Sequence, residues 1–325
     1  MEDHLRPLLA KFRTKSKQAS FQWLEGLREA LCLHRVVIYC RRSKELAIRT
    51  GQCFLLNGFI FLGSILILRS VIIPMLGWIL PEQCPDNHLG EVCPYGLTLG
   101  FYSFLRVGLV QLFYVFWFYP MYIFSFILST LWYNDIAKHG FFALGKDEHS
   151  GPEKNSSADK PSDLEGIMLG IAEQFYSILL LSFFFLQVYV TGFIPYIGKT
   201  VSFLLLSWMY AYYCFEYKWN LSGLSLDKRL DFFESNWAFF AGFGCPCVIS
   251  TFLFSPLVSY GVMAILYPLF VLTATGSEAD KIITLPRRKW TGFGLGRLPI
   301  FVVADYLSLR VLSLFPVSSH QKLKD

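Results

Sequence analysis

The stretch from Leu97 to Tyr133 carries a single charged residue, Arg106. A helix crosses the hydrocarbon core of a bilayer with about 20 apolar residues, so this run is far longer than one straight crossing needs. No soluble domain of ordinary size has a use for it. Further apolar runs lie at Cys53–Leu80, Ile167–Val190 and Trp237–Thr275, and a fourth, Val201–Phe215, is short for a crossing. The whole chain is 54% hydrophobic and only 16% charged, against about 25% charged for average soluble proteins. The charges are also segregated. Residues 1–52 are rich in Lys and Arg, whereas residues 53–133 hold only Arg69, Glu82, Asp86, Glu91 and Arg106. The expected fold is all-α, a polytopic integral membrane helical bundle.

Overlong runs interrupted by proline predict long kinked helices rather than tidy single spans. Pro120 lies inside the second run, and Pro246, Pro256 and Pro268 lie inside the fifth. Proline lacks an N–H and clashes with the preceding turn. Crossing once, the fifth run would deliver Arg287, Arg288, Lys289 and Arg297 to the side opposite the basic N-terminus, against the positive-inside bias. A hairpin turning near Ser255-Pro256, helical or re-entrant, avoids this. The domain reading is a basic cytosolic segment at 1–52, a membrane domain at 53–275 and a cytosolic segment at 276–325 with an amphipathic helix at 298–315. A Ser/Gly/Pro-rich loop at about 145–163 is expected to be disordered and cytosolic. For residues 21–40, an interfacial amphipathic helix and an ordinary helix docked on the bundle both fit the spacing of Leu24, Leu27, Leu31 and Ile38.

The loop at 81–96 has three acids and no Lys or Arg, which places it on the lumenal side. Cys84 and Cys93 share it, so a small disulfide loop and a pair of free thiols are both open. The acceptor patterns at Asn155 and Asn220 fall in loops read as cytosolic and are expected to stay unmodified. No two of the six histidines have metal-ligand helical spacing, no nucleophile elbow or phosphate loop occurs, and Cys245-Pro246-Cys247 has no nearby ligand partner. No enzyme activity and no cofactor are expected. The basic charge carries no groove-reading motif, so nucleic acid is not an expected partner. Ionisable groups within apolar runs are costly. Arg106 and Arg69 could line an anion-attracting cavity; snorkelling, or pairing of Arg106 with Glu173, are the plainer alternatives.

One segment carries a family resemblance. Tyr210-Ala-Tyr-Tyr-Cys-Phe-Glu-Tyr-Lys-Trp219, with Arg229-Leu230, Asn236-Trp237 and Gly242-Phe-Gly244, resembles the etoposide-induced protein 2.4 family. Gly26–Ala30, Trp132–Ala137 and Phe193–Gly198 support it, over roughly residues 25–275. More distantly the chain is similar to bacterial sulfate permeases of the CysZ type, through Asn134-Asp135, Glu216-Tyr217 and Gly242 with Gly244. The resemblance implies an endoplasmic-reticulum multi-pass protein that supports autophagy at the maturation of autophagosomes. The bacterial relatives imply sulfate transport instead, and hemi-penetrating hairpins. Expected partners are membrane lipids and proteins of the same membrane, with self-association open. Read physically, Trp219 and Trp237 suit an interfacial belt, and Glu216 and Lys218 suit a helix leaving the bilayer. Gly242 and Gly244 suit close helix approach or a break before Pro246. Asn134 and Asp135 suit a cap, or else the lining of a cavity.

Overall fold

A computed structural model describes residues 2–80, 96–145, 163–279, 281–283 and 295–314. The described residues are helical throughout their ordered elements and contain no strand. Helices α1 (Glu2–Ala30) and α2 (His34–Arg42) are separated by a short break, so residues 21–40 form parts of two helices rather than one. Helix α3 spans Lys44–Ile79. Helix α4 joins Gly96–Phe113, a π-helical segment Tyr114–Phe118, and Tyr119–Ala143. There follow α5 (Asp163–Thr191), α6 (Gly198–Leu221), α7 (Leu226–Ser235), α8 (Trp237–Leu253), α9 (Pro256–Gly276) and α10 (Val302–Ser313). The chain forms two compact units. One holds residues 1–37, 141–249 and 270–325; the other holds 38–140 and 250–269.

The second unit contains the two overlong helices. Ser43 caps α3, its hydroxyl accepting from the Leu46 N–H at 3.3 Å, as N-cap serines do. At 36 residues α3 is about 54 Å long, and the 44 residues Gly100–Ala143 of α4 reach about 66 Å at 1.5 Å per residue. Both exceed the roughly 30 Å hydrocarbon core, so each carries a polar extension. There Arg49 pairs with Asp135 at 3.5 Å and His139 faces Glu45 at 3.4 Å. Neither helix stops at its proline. The π-helical segment Leu68–Ile72 ends two residues before Pro74, and Tyr114–Phe118 ends two residues before Pro120. A wider turn at these points is a recognised way to absorb an irregular hydrogen-bond ladder.

The first half of α9 packs against both long helices. Phe61 meets Phe118 edge-on at 6.5 Å and Tyr260 at 5.3 Å, within a core that includes Ile65 and Leu68. Gly261 lets α9 approach closely, since a Cβ there would lie 2.7 Å from the Leu62 side chain. Buried Asn57 ties the helices together. Its Nδ2 donates to the Cys53 carbonyl at 3.0 Å and to Ser129 Oγ at 2.9 Å, while the Ser125 hydroxyl donates to its Oδ1. Between α8 and α9 the chain turns at Phe254-Ser255, where the Ser259 hydroxyl donates to the carbonyls of Ser250 (3.2 Å) and Phe254 (3.1 Å). The turn expected near Ser255-Pro256 is therefore present, between the end of α8 at Leu253 and the start of α9 at Pro256.

The first unit is organised by α8. Helix α7 meets it at a 90° bend, and Asn236 makes the corner. Its side chain donates to the Phe232 carbonyl at 2.8 Å, and its own carbonyl accepts from the Phe239 N–H at 3.0 Å. Helix α6 ends at Gly223, whose φ of +64° suits glycine and lets the Leu224 N–H reach back to the Trp219 carbonyl at 3.1 Å.

Candidate functional site

The motif at residues 210–219 forms the last turns of α6 and faces an aromatic core. Tyr212, Phe215, Phe233, Phe240 and Phe301 are fully or almost fully buried. Phe233 stacks on Phe240 at 4.3 Å, and Phe215 meets Phe243 edge-on at 4.9 Å. Trp219 is only 6% exposed and packs on Phe215 and Tyr212. It belongs to this core and not to an interfacial belt. Trp237 is half-buried, and its carbonyl accepts from Trp208 Nε1 at 2.9 Å.

The charged residues of the motif are likewise held inside the fold. Lys218 is buried and donates to the Ser277 carbonyl at 2.5 Å. Glu216, partly buried, accepts from the Ser177 hydroxyl at 2.9 Å. It lies beyond the apolar run that ends at Phe215, and burial raises its pKa, opposed by the Ser177 hydrogen bond and by the charge of Arg229. Tyr217, next to it, is half-buried. Arg229 donates to the Leu224 carbonyl at 2.5 Å and to the Asn220 side chain. Just past the apolar run, Glu216 and Lys218 are thus tethered charges, bonded to Ser177 and Ser277.

Gly242 and Gly244 mark two close crossings. A Cβ on Gly242 would lie 1.9 Å from the Trp23 carbonyl oxygen, and one on Gly244 would lie 1.7 Å from that of Ser207. Gly26 answers from α1, its Cβ position 1.9 Å from the Phe239 carbonyl oxygen. Helix α8 therefore packs backbone to backbone against both α1 and α6, and it continues through Pro246 without a break.

Residues 295–314 close over this unit by way of Glu234, which is 3% exposed. Its carbonyl accepts from the Leu298 N–H at 3.1 Å, one carboxylate oxygen from the Phe301 N–H at 3.0 Å, and the other from Arg297 Nε at 2.7 Å. Arg297 also reaches Asp231 at 3.0 Å. Phe301 is the residue from which α10 starts, so Glu234 anchors the entry to that helix. Helix α10 lies against α5, where the Tyr176 hydroxyl donates to Asp305. Beside the clamp is a cavity of about 400 Å³ whose lining includes Asp227, Asp231, Glu234, Asp305 and Arg297. A second, of about 540 Å³, runs along α7 past Lys228 and Asn236. Among the described residues no group of three or more His, Cys, Asp or Glu is placed to hold a metal.

The remaining sequence candidates lie in the other unit or outside the described residues. Arg69 donates to Ser255 Oγ at 3.2 Å. Arg106 lies over Gly77, its Nη1 3.7 Å from the Cβ position there. Arg69 is a residue of α3 itself, and Arg106 meets α3 at Gly77, eight residues or about 12 Å further along its axis. Asn134 and Asp135 sit inside α4, well before its end at Ala143. The capping role is therefore not theirs, and Asp135 instead pairs with Arg49. Cys84, Cys93, Asn155 and the side chain of Glu173 lie outside the described residues.

Long apolar helices, two of them carrying internal prolines and joined by a tight turn, and tethered charges at helix ends define a polytopic α-helical membrane protein. A family model described as "Sulfate transporter CysZ/Etoposide-induced protein 2.4" matches residues 32–268, and the chain belongs to that family. It is 62% identical over 318 residues to Protein EI24 homolog of Arabidopsis thaliana, covering 94% of this chain and 98% of the relative. It is 29% identical over 298 residues to Protein EI24 homolog of Dictyostelium discoideum, covering 90% and 84%. Ectopic P granules protein 4 of Caenorhabditis elegans is 29% identical over 192 residues, covering 57% and 56%.

Proposed function

We propose that the protein is a multi-pass protein of the endoplasmic-reticulum membrane that supports autophagosome maturation through contacts with proteins and lipids, and that it performs no enzymatic step. The match to Protein EI24 homologs along nearly the whole chain carries this reading. The motif residues favour a contact role as well. Glu216 and Lys218 are bonded to Ser177 and Ser277 and serve the packing of the first unit. Both termini face the cytosol in this proposal, which follows from the basic residues before α3 and after α9. The test is loss of the gene. Undegraded autophagosomes should accumulate, and the full chain should restore their turnover; normal turnover without the gene would overturn the reading. Glycosylation tags at each end check the orientation, and a tag modified in the lumen would refute it.

A second reading, transport of sulfate-like oxyanions, is favoured by the family description and by the cations Arg69 and Arg106 within apolar helices. The cavity beside Glu234 does not support it, because its lining holds four carboxylates and one guanidinium and repels an anion. Labelled sulfate flux into proteoliposomes, abolished by Arg106→Ala, would promote transport over the contact role.

A further inference from the structure

Helix α1 is built with its polarity reversed. The face turned into the first unit carries Gln18, Gln22, Gly26, Glu29 and Ala30, all buried. Gly26 and Trp23 make the close crossing with α8, and Glu29 is neutralised by Arg35 at 2.7 Å. The Oε1 atoms of Gln18 and Gln22 have no hydrogen-bond partner among the described residues. The opposite face carries Arg13, Lys17, Phe21, Leu24, Arg28 and, just past the helix end, Leu31. These are spaced by four, four, three, four and three residues, so they form one stripe along the helix. Every one of them is exposed, with Phe21 at 41%, Leu24 at 56% and Leu31 at 56%.

A helix of a water-soluble domain turns its apolar stripe inward and its charges outward. Here the apolar side chains point out, and bases accompany them on the same face. Among the described residues of α1, Glu25 is the acid beside the stripe, and it lies 3.4 Å from Arg28. An apolar stripe flanked by long basic side chains suits the boundary between headgroups and acyl chains. There the rings and leucines enter the bilayer while Lys and Arg reach the phosphates.

We infer that the outward stripe of α1 docks on an anionic lipid surface, with Phe21, Leu24 and Leu31 inserted and Arg13, Lys17 and Arg28 on the headgroups. This names the lipid partner in the contact role proposed above. It rests on the membrane reading of the chain and not on the part in autophagy. It also gives the buried glutamines a reason: α1 is held to α8 by close backbone packing, which leaves its apolar side for lipid.

The experiment uses the full chain, one copy per nanodisc, with an environment-sensitive fluorescent amino acid at Leu24 and lipid-borne nitroxide as quencher. Discs of phosphatidylcholine are compared with discs containing phosphatidylserine. The probe should be quenched, and more strongly in the anionic discs. The pair Lys17→Glu and Arg28→Glu should reduce that quenching by about half or more, since each base near such a surface contributes several-fold to the partition. A probe at Leu24 left in water in anionic discs, or quenched equally in both lipids, overturns the inference. A second probe at Phe104, inside α4, separates the two failures. If it is quenched while Leu24 is not, the docking alone is wrong; if neither is quenched, the membrane reading has failed too. A single copy per disc excludes a second chain as the occupant.

Discussion

Gly242 rests against the backbone of Trp23 so closely that a Cβ on the glycine would lie 1.9 Å from the Trp23 carbonyl oxygen. The clash is with main chain, which cannot swing aside as a side-chain tip can. Gly242→Ala must therefore push α1 away from α8, with a cost of about 1–3 kcal/mol or more. Thermal unfolding in detergent should show a lowered midpoint. Gly51→Ala, where nothing lies within 4 Å, should leave the midpoint unchanged or raise it, because alanine is the better helix former. Equal effects at the two positions would contradict the close crossing.

Glu216 supplies a pH dependence with a definite sign. Burial raises its folded-state pKa above the unfolded value. The folded protein therefore holds the proton more tightly than the unfolded chain does. The stability this confers is present at acid pH and is lost as pH rises through the raised pKa. Glu216→Gln keeps an acceptor for Ser177 and cannot ionise. Its unfolding midpoint should fall less than that of the parent between acid and neutral pH, and parallel curves would refute the assignment.

Glu234 joins three groups of the C-terminal segment at once. Glu234→Ala leaves the Phe301 N–H and Arg297 without their acceptor, and a cost of about 1–3 kcal/mol is expected for the buried donor. Arg297 is 57% exposed, so its ion pair adds little once solvent screening is counted. Limited proteolysis should cut within residues 295–301 faster in the alanine variant than in Glu234→Gln, which can still accept from Phe301. Indistinguishable cleavage would show that the segment is held by Phe301 packing alone.

Asn57 and Ser129 are linked at 2.9 Å between α3 and α4. A double-mutant cycle with Asn57→Ala and Ser129→Ala should give a coupling of about 0.6 kcal/mol and no more than about 1.7, the range found for hydrogen bonds between membrane helices. Strict additivity would remove the bond from the account of how these helices associate.

The long runs, their prolines and the turn near Ser255-Pro256 were legible because bilayer thickness and the missing proline N–H act locally on the sequence. The close approach at Gly242 and Gly244 was also open to reading, since small residues at that spacing have few other uses in a membrane helix. Trp219 misled because composition cannot tell an interfacial indole from a buried one; Phe215, Tyr212 and Phe240 had to be brought together first. Asn134 and Asp135 looked like a cap because the apolar run ends there, yet α4 continues to Ala143 as a polar helix. Glu234 gave no signal at all. Its partners Arg297 and Phe301 are more than sixty residues away.

What the sequence by itself determined is the solvent: hydropathy and charge segregation are summed along the chain, and they require a bilayer, helices, and charges largely kept out of the apolar runs. Its motif at residues 210–219 determined the family. Only the tertiary structure decided where each polar group finds its partner. That choice depends on distances between segments far apart in the chain, such as Lys218 with Ser277 or Glu234 with Phe301, and on which face of α1 is covered by α8. A periodic pattern marks the faces of a helix, but the neighbour that buries one of them decides which is inside.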